Sequence, residues 1–314
     1  MRTSLSPLCR SRDEGKEFGG RRPNMYWERM SIDEYAMYEK GQGEKLVQVD
    51  GVWWREVRPF FYRPLFPFQR FAPGKVKSPL PSFLFGYQYP VVEGGPANSY
   101  LNLMVFDDIH NYSLGTLKHK QRNEIKRGLK NFSIKRIVEY DEFVDGGYKA
   151  YVSFFQRTNY NWKNDRIYRK AFIKWANHLF HFPKIFIHGA YRGDELSAVN
   201  LSYLVEDVII DAAFFSTTEG LKMGSSEATW HVIRENAADT ADARYIYEGP
   251  LSGNKGLDDS KILRGCSILC QPAYCSVRAI PLFILKTAFK KAHARLRGMD
   301  EQQVATRYPG KKQA

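Results

Sequence analysis

Four cysteines among 314 residues are too few for a disulfide scaffold. Cys9 stands alone in a polar leader. Cys266, Cys270 and Cys275 follow one another without the regular pairs and fourth ligand of a zinc site. No bound metal is therefore expected, and reduced thiols are the simple reading. Long apolar runs are missing too. None approaches the roughly 20 residues that cross a bilayer, which excludes a membrane-spanning helix. Residues 1–24 lack the apolar stretch of a secretory signal, so a cytoplasmic setting is expected. No Ser/His/Asp or Cys/His arrangement stands out, which argues against a covalent acyl-enzyme. No internal repeat is visible.

Acidic side chains are the minority, 34 against 47 Lys and Arg, for a net charge of +13. The excess is local. Residues 118–136 hold eight basic side chains and one acid, and residues 286–314 hold eight and two, so the rest of the chain is balanced. A localised positive field favours an anionic partner. Candidates are the phosphates of an acyl-CoA, an acyl carrier protein, the acceptor stem of an aminoacyl-tRNA, or an anionic membrane surface reached by peripheral contact. The same charges also suit solvated helix faces.

Periodicity predicts a mixed chain. Residues 1–25 are polar and read as a disordered leader. A short helix is expected over 31–40, then a hairpin turning at Asp50-Gly51. The prolines of 58–67 (RPFFYRPLFP) rule out a central strand there. That run fits a core cover, a hydrophobic substrate wall or a membrane-contacting loop. A strand is expected over 100–106. An amphipathic helix over 114–130 has Ser113 as its N-cap and basic residues on its open face. Then come a strand over 133–138, helices over 142–158 and 166–181, and strands over 184–191, 196–204 and 208–215. A helix over 225–237 and a strand over 245–248 follow.

The segment after that strand carries the chemistry. Tyr245-Ile246-Tyr247-Glu248-Gly249 leads through a loop rich in Gly and Ser to Gly256-Leu257-Asp258-Asp259-Ser260-Lys261 and Arg264-Gly265. Strand ends of mixed folds are where ligands sit. A carboxylate and an ammonium delivered from opposite sides of such a loop can accept a proton and steady a developing oxyanion. The same residues also fit a solvated strand end and a surface lysine.

Taken in order, these pieces resemble the FemAB-like, or BioF2-like, acyltransferases of the GNAT superfamily. Residues 118–127 (KHKQRNEIKR) look like the family's basic helix, and residues 188–199 (HGAYRGDELSAV) like its central hairpin. Tyr247-Glu248-Gly249 with Gly256-Leu257 and 261–265 looks like its closing strand, loop, lysine and glycine pattern. The resemblance spans roughly residues 100–270. The family often has Asp where this chain has Glu248. The resemblance implies an α+β fold, a GNAT-like mixed β-sheet flanked by helices. It further implies a degenerate N-terminal half over 26–112, a complete acyltransferase domain over 113–280, and a basic helix and tail over 281–314.

The implied activity is N-acyl transfer, by direct attack of an amine acceptor on an activated acyl or aminoacyl donor. No cofactor is held tightly, because acyl-CoA or another activated donor serves as co-substrate. Lys261 and Glu248 are the catalytic candidates. For the donor, GNAT enzymes use a glycine-rich loop opening a helix. The equivalent place is 219–226 (EGLKMGSS), so Lys222, Gly224, Ser225 and Ser226 are candidate binders, joined by Lys118, Lys120 and Arg122 of the basic helix. This loop lacks the leading Arg/Gln-x-x-Gly-x-Gly/Ala signature and also reads as an ordinary loop with Ser225 as N-cap. The alternative for the whole chain is a non-catalytic, degenerate GNAT fold that binds RNA or an anionic membrane surface through its basic faces.

Overall fold

Every residue over 186–191 and 196–205 is buried, the pattern of strands covered on both faces. The computed structural model describes residues 27–158 and 163–309, so the expected leader over 1–25 lies outside the described residues. The strands are β1 (Arg29–Met30), β2 (Leu46–Val49), β3 (Val52–Arg58), β4 (Phe61–Pro64), β5 (Gly86–Pro90) and β6 (Ser99–Phe106). They continue with β7 (Ser133–Arg136), β8 (Phe186–Arg192), β9 (Glu195–Val205), β10 (Val208–Ser216), β11 (Tyr245–Pro250) and β12 (Ser267–Val277). The helices are α1 (Ile32–Gly41), α2 (His119–Asn131), α3 (Tyr140–Glu142), α4 (Tyr148–Thr158), α5 (Arg169–Phe180) and α6 (Thr218–Lys222). After them come α7 (Ser225–Ala238), α8 (Lys255–Leu263), α9 (Ala279–Thr287), α10 (Lys290–Arg297) and α11 (Glu301–Arg307).

Among the described residues the strands form one sheet in the order β2-β3-β4-β5-β12-β6-β11-β10-β9-β8-β7, with β1 against the end of β9. Pairing is antiparallel except at β4–β5, β10–β11 and β1–β9. The α+β class and the mixed sheet flanked by helices are as expected. Alternation sorts the side chains to two faces. Ile187, Leu201, Val208 and Ile210 join Tyr38, Phe143, Phe172 and Trp175 in one core. Phe186, Leu204, Ile209 and Ile246 join Ile233, Ile262 and Val304 in the other. Each such side chain, fully buried, contributes about 1.5–3 kcal/mol.

Three expectations change. The basic helix begins at His119, because Leu114–Thr116 closes a 3₁₀ turn and Leu117 is extended; the Ser113 side chain caps nothing. Ser225 is likewise no cap: Gly224, at φ 93°, holds that position and Ser225 opens α7. Finally, the proline-rich run does contain an interior strand. β4 lies between β3 and β5, with Pro64 as its last residue and Pro59 ahead of its first. Prolines at the ends of a four-residue strand leave the central amides free to pair.

One crossing sets the position of the later site. A Cβ added to Gly128 of α2 would lie 2.4 Å from the Gly224 carbonyl oxygen, so the two backbones touch where α7 begins. Asn131 Nδ2 donates to the Met223 carbonyl at 3.0 Å and fixes the same contact.

Candidate active site

The parallel pair β10–β11 is short. Val208, Ile209 and Ile210 face Tyr245, Ile246 and Tyr247, and there the pairing stops. Against its other neighbour, β10 has an irregularity between Asp211 and Ala213. β11 has one between Tyr247 and Pro250, where Gly249 takes φ 101°. The strands therefore part after Ile210 and Tyr247, and the next residue on each is an acid. By alternation Asp211 follows Ile209 and Glu248 follows Ile246, so both point to the α7 face.

Asn200 Nδ2 donates to Asp211 Oδ1 at 2.6 Å. The Asp211 and Glu248 carboxyls are themselves within hydrogen-bonding reach. Burial pushes Asp211 up, offset in part by Asn200, Lys261 and the bond to Glu248. Burial and then the neighbouring Asp211 raise Glu248 to about 8, against the pull of Lys261, Arg234 and Arg264. Two carboxyls this close and this dry do not both ionise readily, so the pair holds one proton at neutral pH.

Lys261 comes from the last turn of α8. Asn254 caps that helix, accepting from Gly256 N at 3.1 Å. Asp258 is spent on the preceding loop, accepting from Ser252 N at 2.9 Å, Ser252 Oγ at 2.7 Å and Gly253 N at 3.0 Å. Lys261 Nζ instead donates to the main-chain carbonyl of Glu248. The ammonium thus lies at the mouth of the notch, facing the backbone of the residue whose carboxyl it attracts.

A second layer surrounds this centre. Arg264 pairs with Glu227, reaches Ser226 Oγ at 3.4 Å and lies over the Trp230 ring at 4.2 Å. Burial would raise Glu227, but Arg264 and Ser226 more than offset it and leave the carboxyl below its usual value. The buried Arg234 donates to the Arg264 carbonyl and covers the Phe106 ring at 4.0 Å. Cys266 also lies here. Burial, then Glu248, push its thiol up to about 12, so it offers no thiolate nucleophile.

The structure brings Glu248 and Lys261 together, with Ser226 joined to them through Arg264. Ser225 is fully buried, and its hydroxyl has no protein partner. Lys222 is exposed at the end of α6. Lys118 and Lys120 are exposed and Arg122 is half-buried. Their helix borders the site, because Gln121 Nε2 donates to the carbonyl of Leu263 at the end of α8. Sequence reasoning missed Asp211, Asn200 and Arg234. The available signal was Asp211 itself, a single acid inside the apolar run 208–215, since an acid placed among core residues needs a partner.

Glu248 is only 8% exposed, so side chains close the notch. Two cavities lie elsewhere. One of about 70 Å³ is lined by Phe66, Phe68, Arg70, Arg244 and Tyr245, and one of about 330 Å³ lies between α9, α10 and the end of β12. No group of three or more His, Cys, Asp or Glu able to hold a metal occurs among the described residues. No described helix is long and apolar enough to cross a membrane.

No protein-family model matches the chain, and no curated protein matches it. Solved structures do. FemX aligns over 80% of this chain and 92% of its own at 10% identity, with a TM-score of 0.51. A conserved protein of unknown function from Bacteroides thetaiotaomicron aligns over 81% and 93% at 12% identity, with a TM-score of 0.50. At such identities the likeness concerns the path of the chain alone. The chain therefore shares its fold with FemX, a mixed sheet flanked by helices of the kind that the resemblance in its sequence implied.

Proposed function

We propose that the chain is an acyl or aminoacyl transferase that moves its acyl group to an amine by direct attack. One observation carries this reading: strands β10 and β11 part at a carboxyl pair, half-buried Asp211 and buried Glu248, with the Lys261 ammonium on the Glu248 main-chain carbonyl. The donor is acyl-CoA, an acylated carrier protein or an aminoacyl-tRNA. Its phosphates lie along Lys118, Lys120 and Arg122, toward Lys222 and the α7 start at Gly224, Ser225 and Ser226. Buried thiols without thiolate character and a donor of this kind suit the cytoplasm.

In the reaction the amine nitrogen bonds to the acyl carbonyl carbon. The C–S bond of a thioester, or the C–O bond of an aminoacyl ester, then breaks. Lys261 leaves the Glu248 carbonyl and donates to the acyl oxygen as negative charge develops. The carboxyl pair accepts the amine proton on its ionised member and returns one to the leaving thiolate or alkoxide from its protonated member. No acyl-enzyme forms. Entry of the donor must open the side chains that close the notch.

That closure supports the second reading, a non-catalytic binding protein, because Lys261 is satisfied by the Glu248 main-chain carbonyl, and Asp211 by Asn200 and Glu248, without a ligand. Incubating the purified chain with a panel of acyl-CoA thioesters and aminoacyl-tRNAs, with mixed amines as acceptors, separates the two. Release of free thiol or deacylated tRNA that requires Lys261 supports transfer. No release from any donor, with donors or RNA still bound, decides for the binding protein.

A further inference from the structure

We propose that helix α9, with the exposed segment beside it, docks the protein onto an anionic lipid bilayer surface. The proposal does not depend on the chemistry of the notch. Seven of the nine residues of α9 (AIPLFILKT) are apolar, and none is buried. Ile280 is 76% exposed and Phe283 68%. Ile284 and, just past the helix, Phe289 are exposed as well. An ordinary surface helix turns its apolar stripe inward; this one turns it out.

The exposure continues onto a second segment. Arg278 N donates to the Phe85 carbonyl at 2.9 Å, and Arg278 Nε to the Phe83 carbonyl at 3.0 Å. These bonds set the start of α9 against residues 80–85, where Leu80 is 83% exposed and Phe83 53%. Gly86 N in turn donates to the carbonyl of Phe60. Phe60 is an exposed aromatic held at φ 62° on the tip between β3 and β4, a conformation that bulky residues seldom adopt. Two loops and a helix thus present large apolar side chains at one end of the β4-β5-β12 strands, more than scattered surface residues explain.

Charge selects the occupant. Residues 278–299 hold Arg278, Lys286, Lys290, Lys291, Arg295 and Arg297 and no acid, and Arg58 adjoins the Phe60 tip, whose nearby Glu56 is turned to the Phe60 amide and to Lys45. A second copy of the chain would bring the same positive rim against itself. RNA would match the charge but offers nothing to Ile280, Ile284 and Leu80. A bilayer with anionic headgroups matches both: apolar side chains enter the acyl boundary while the rim meets the phosphates. A cavity of about 330 Å³, partly lined by Leu282, Lys286 and His293, adjoins α9 on its inner side.

Flotation of the full chain tests this, using vesicles of phosphatidylcholine alone and of phosphatidylcholine with phosphatidylglycerol. The protein should float with the anionic vesicles and sink with the neutral ones, and added salt should release it. The double variant I280D/F283D should lose flotation. K286Q/K290Q/K291Q should weaken it roughly fivefold per charge, about a hundredfold in all. All five positions are exposed, and circular dichroism checks that both variants fold. The proposal falls if the wild-type chain sinks with anionic vesicles, or if I280D/F283D floats like wild type. It falls equally if sizing shows a dimer that I280D/F283D dissolves while vesicle binding is absent, or if K286Q/K290Q/K291Q loses RNA binding and no vesicle binding exists to lose.

Discussion

Replacing Glu248 with Gln should make the protein resist alkaline conditions better than wild type. The carboxyl stands at about 8 in the folded chain against an ordinary value of 4.5. Between those values the folded state holds a proton that the unfolded state has released, so stability falls as pH rises, by about 1.4 kcal/mol per pH unit. The stabilisation is whole below the unfolded value and gone once pH passes about 8, where the second negative charge enters the Asp211–Glu248 pair. The full span amounts to about 5 kcal/mol as an upper bound, comparable with the whole stability of many domains. Gln keeps the shape and can donate to Asp211 as the protonated acid does, but it has no proton to lose. Urea unfolding of both proteins at about pH 6 and about pH 8 reads the effect. Relative to wild type the variant should gain roughly 2 kcal/mol across that interval. Parallel stability curves would show that Glu248 is already ionised at neutral pH and that the pair shares no proton, which would remove the argument for its acid–base role. Asp211→Asn should move the break to lower pH, because it deletes the charge that helps hold the Glu248 proton.

Lys261→Ala should lower turnover by about two to three orders of magnitude, the usual effect of losing an oxyanion donor, with the fold intact by circular dichroism. Lys261→Arg should recover little of it, since a planar fork does not replace a compact ammonium, and near-normal transfer by the Ala variant would remove Lys261 from the chemistry. Replacing Lys118, Lys120, Arg122 and Lys126 with Gln should weaken donor binding and flatten its salt dependence; unchanged affinity at low salt would make that face mere solvated surface. Gly128→Ala should destabilise the fold by about 1–3 kcal/mol in thermal unfolding, because its Cβ would meet a backbone oxygen that cannot step aside.

Much of the sheet was readable because short runs rich in β-branched, aromatic and apolar residues, bounded by turns, mark its central strands. The strands expected over 184–191, 196–204, 208–215 and 245–248 appear as β8 to β11 with ends shifted by a residue or two. The longest miss is β12. Its sequence, SILCQPAYCSV, carries Gln271, Pro272 and two thiols, and it drew notice only for the thiols. Pro272 is tolerated because β6 pairs with 267–273 and β5 takes over from 273, so the proline falls at the handover. The three short helices α9 to α11 were read as one basic helix and tail, since charge hid the apolar face of α9. At the site, Glu248 and Lys261 lie close along the chain, and order alone brought them forward. Asp211 lies 37 positions ahead of Glu248 and meets it only through the register of β10 on β11, which no local pattern encodes.

The place of β12 also constrains how the molecule is made. This strand, from the last fifth of the chain, is wedged between β5 and β6 from the first third. Until residue 277 has been synthesised, β5 and β6 each expose an unpaired edge, and the β2–β5 block has no lateral link to the strands that carry Asp211 and Glu248. Such open edges invite pairing with other chains. Closure of the sheet is therefore a late, long-range event, slow by the rule that distant contacts delay folding. A chain cut short before β12 would leave two fragments of sheet rather than a smaller working protein.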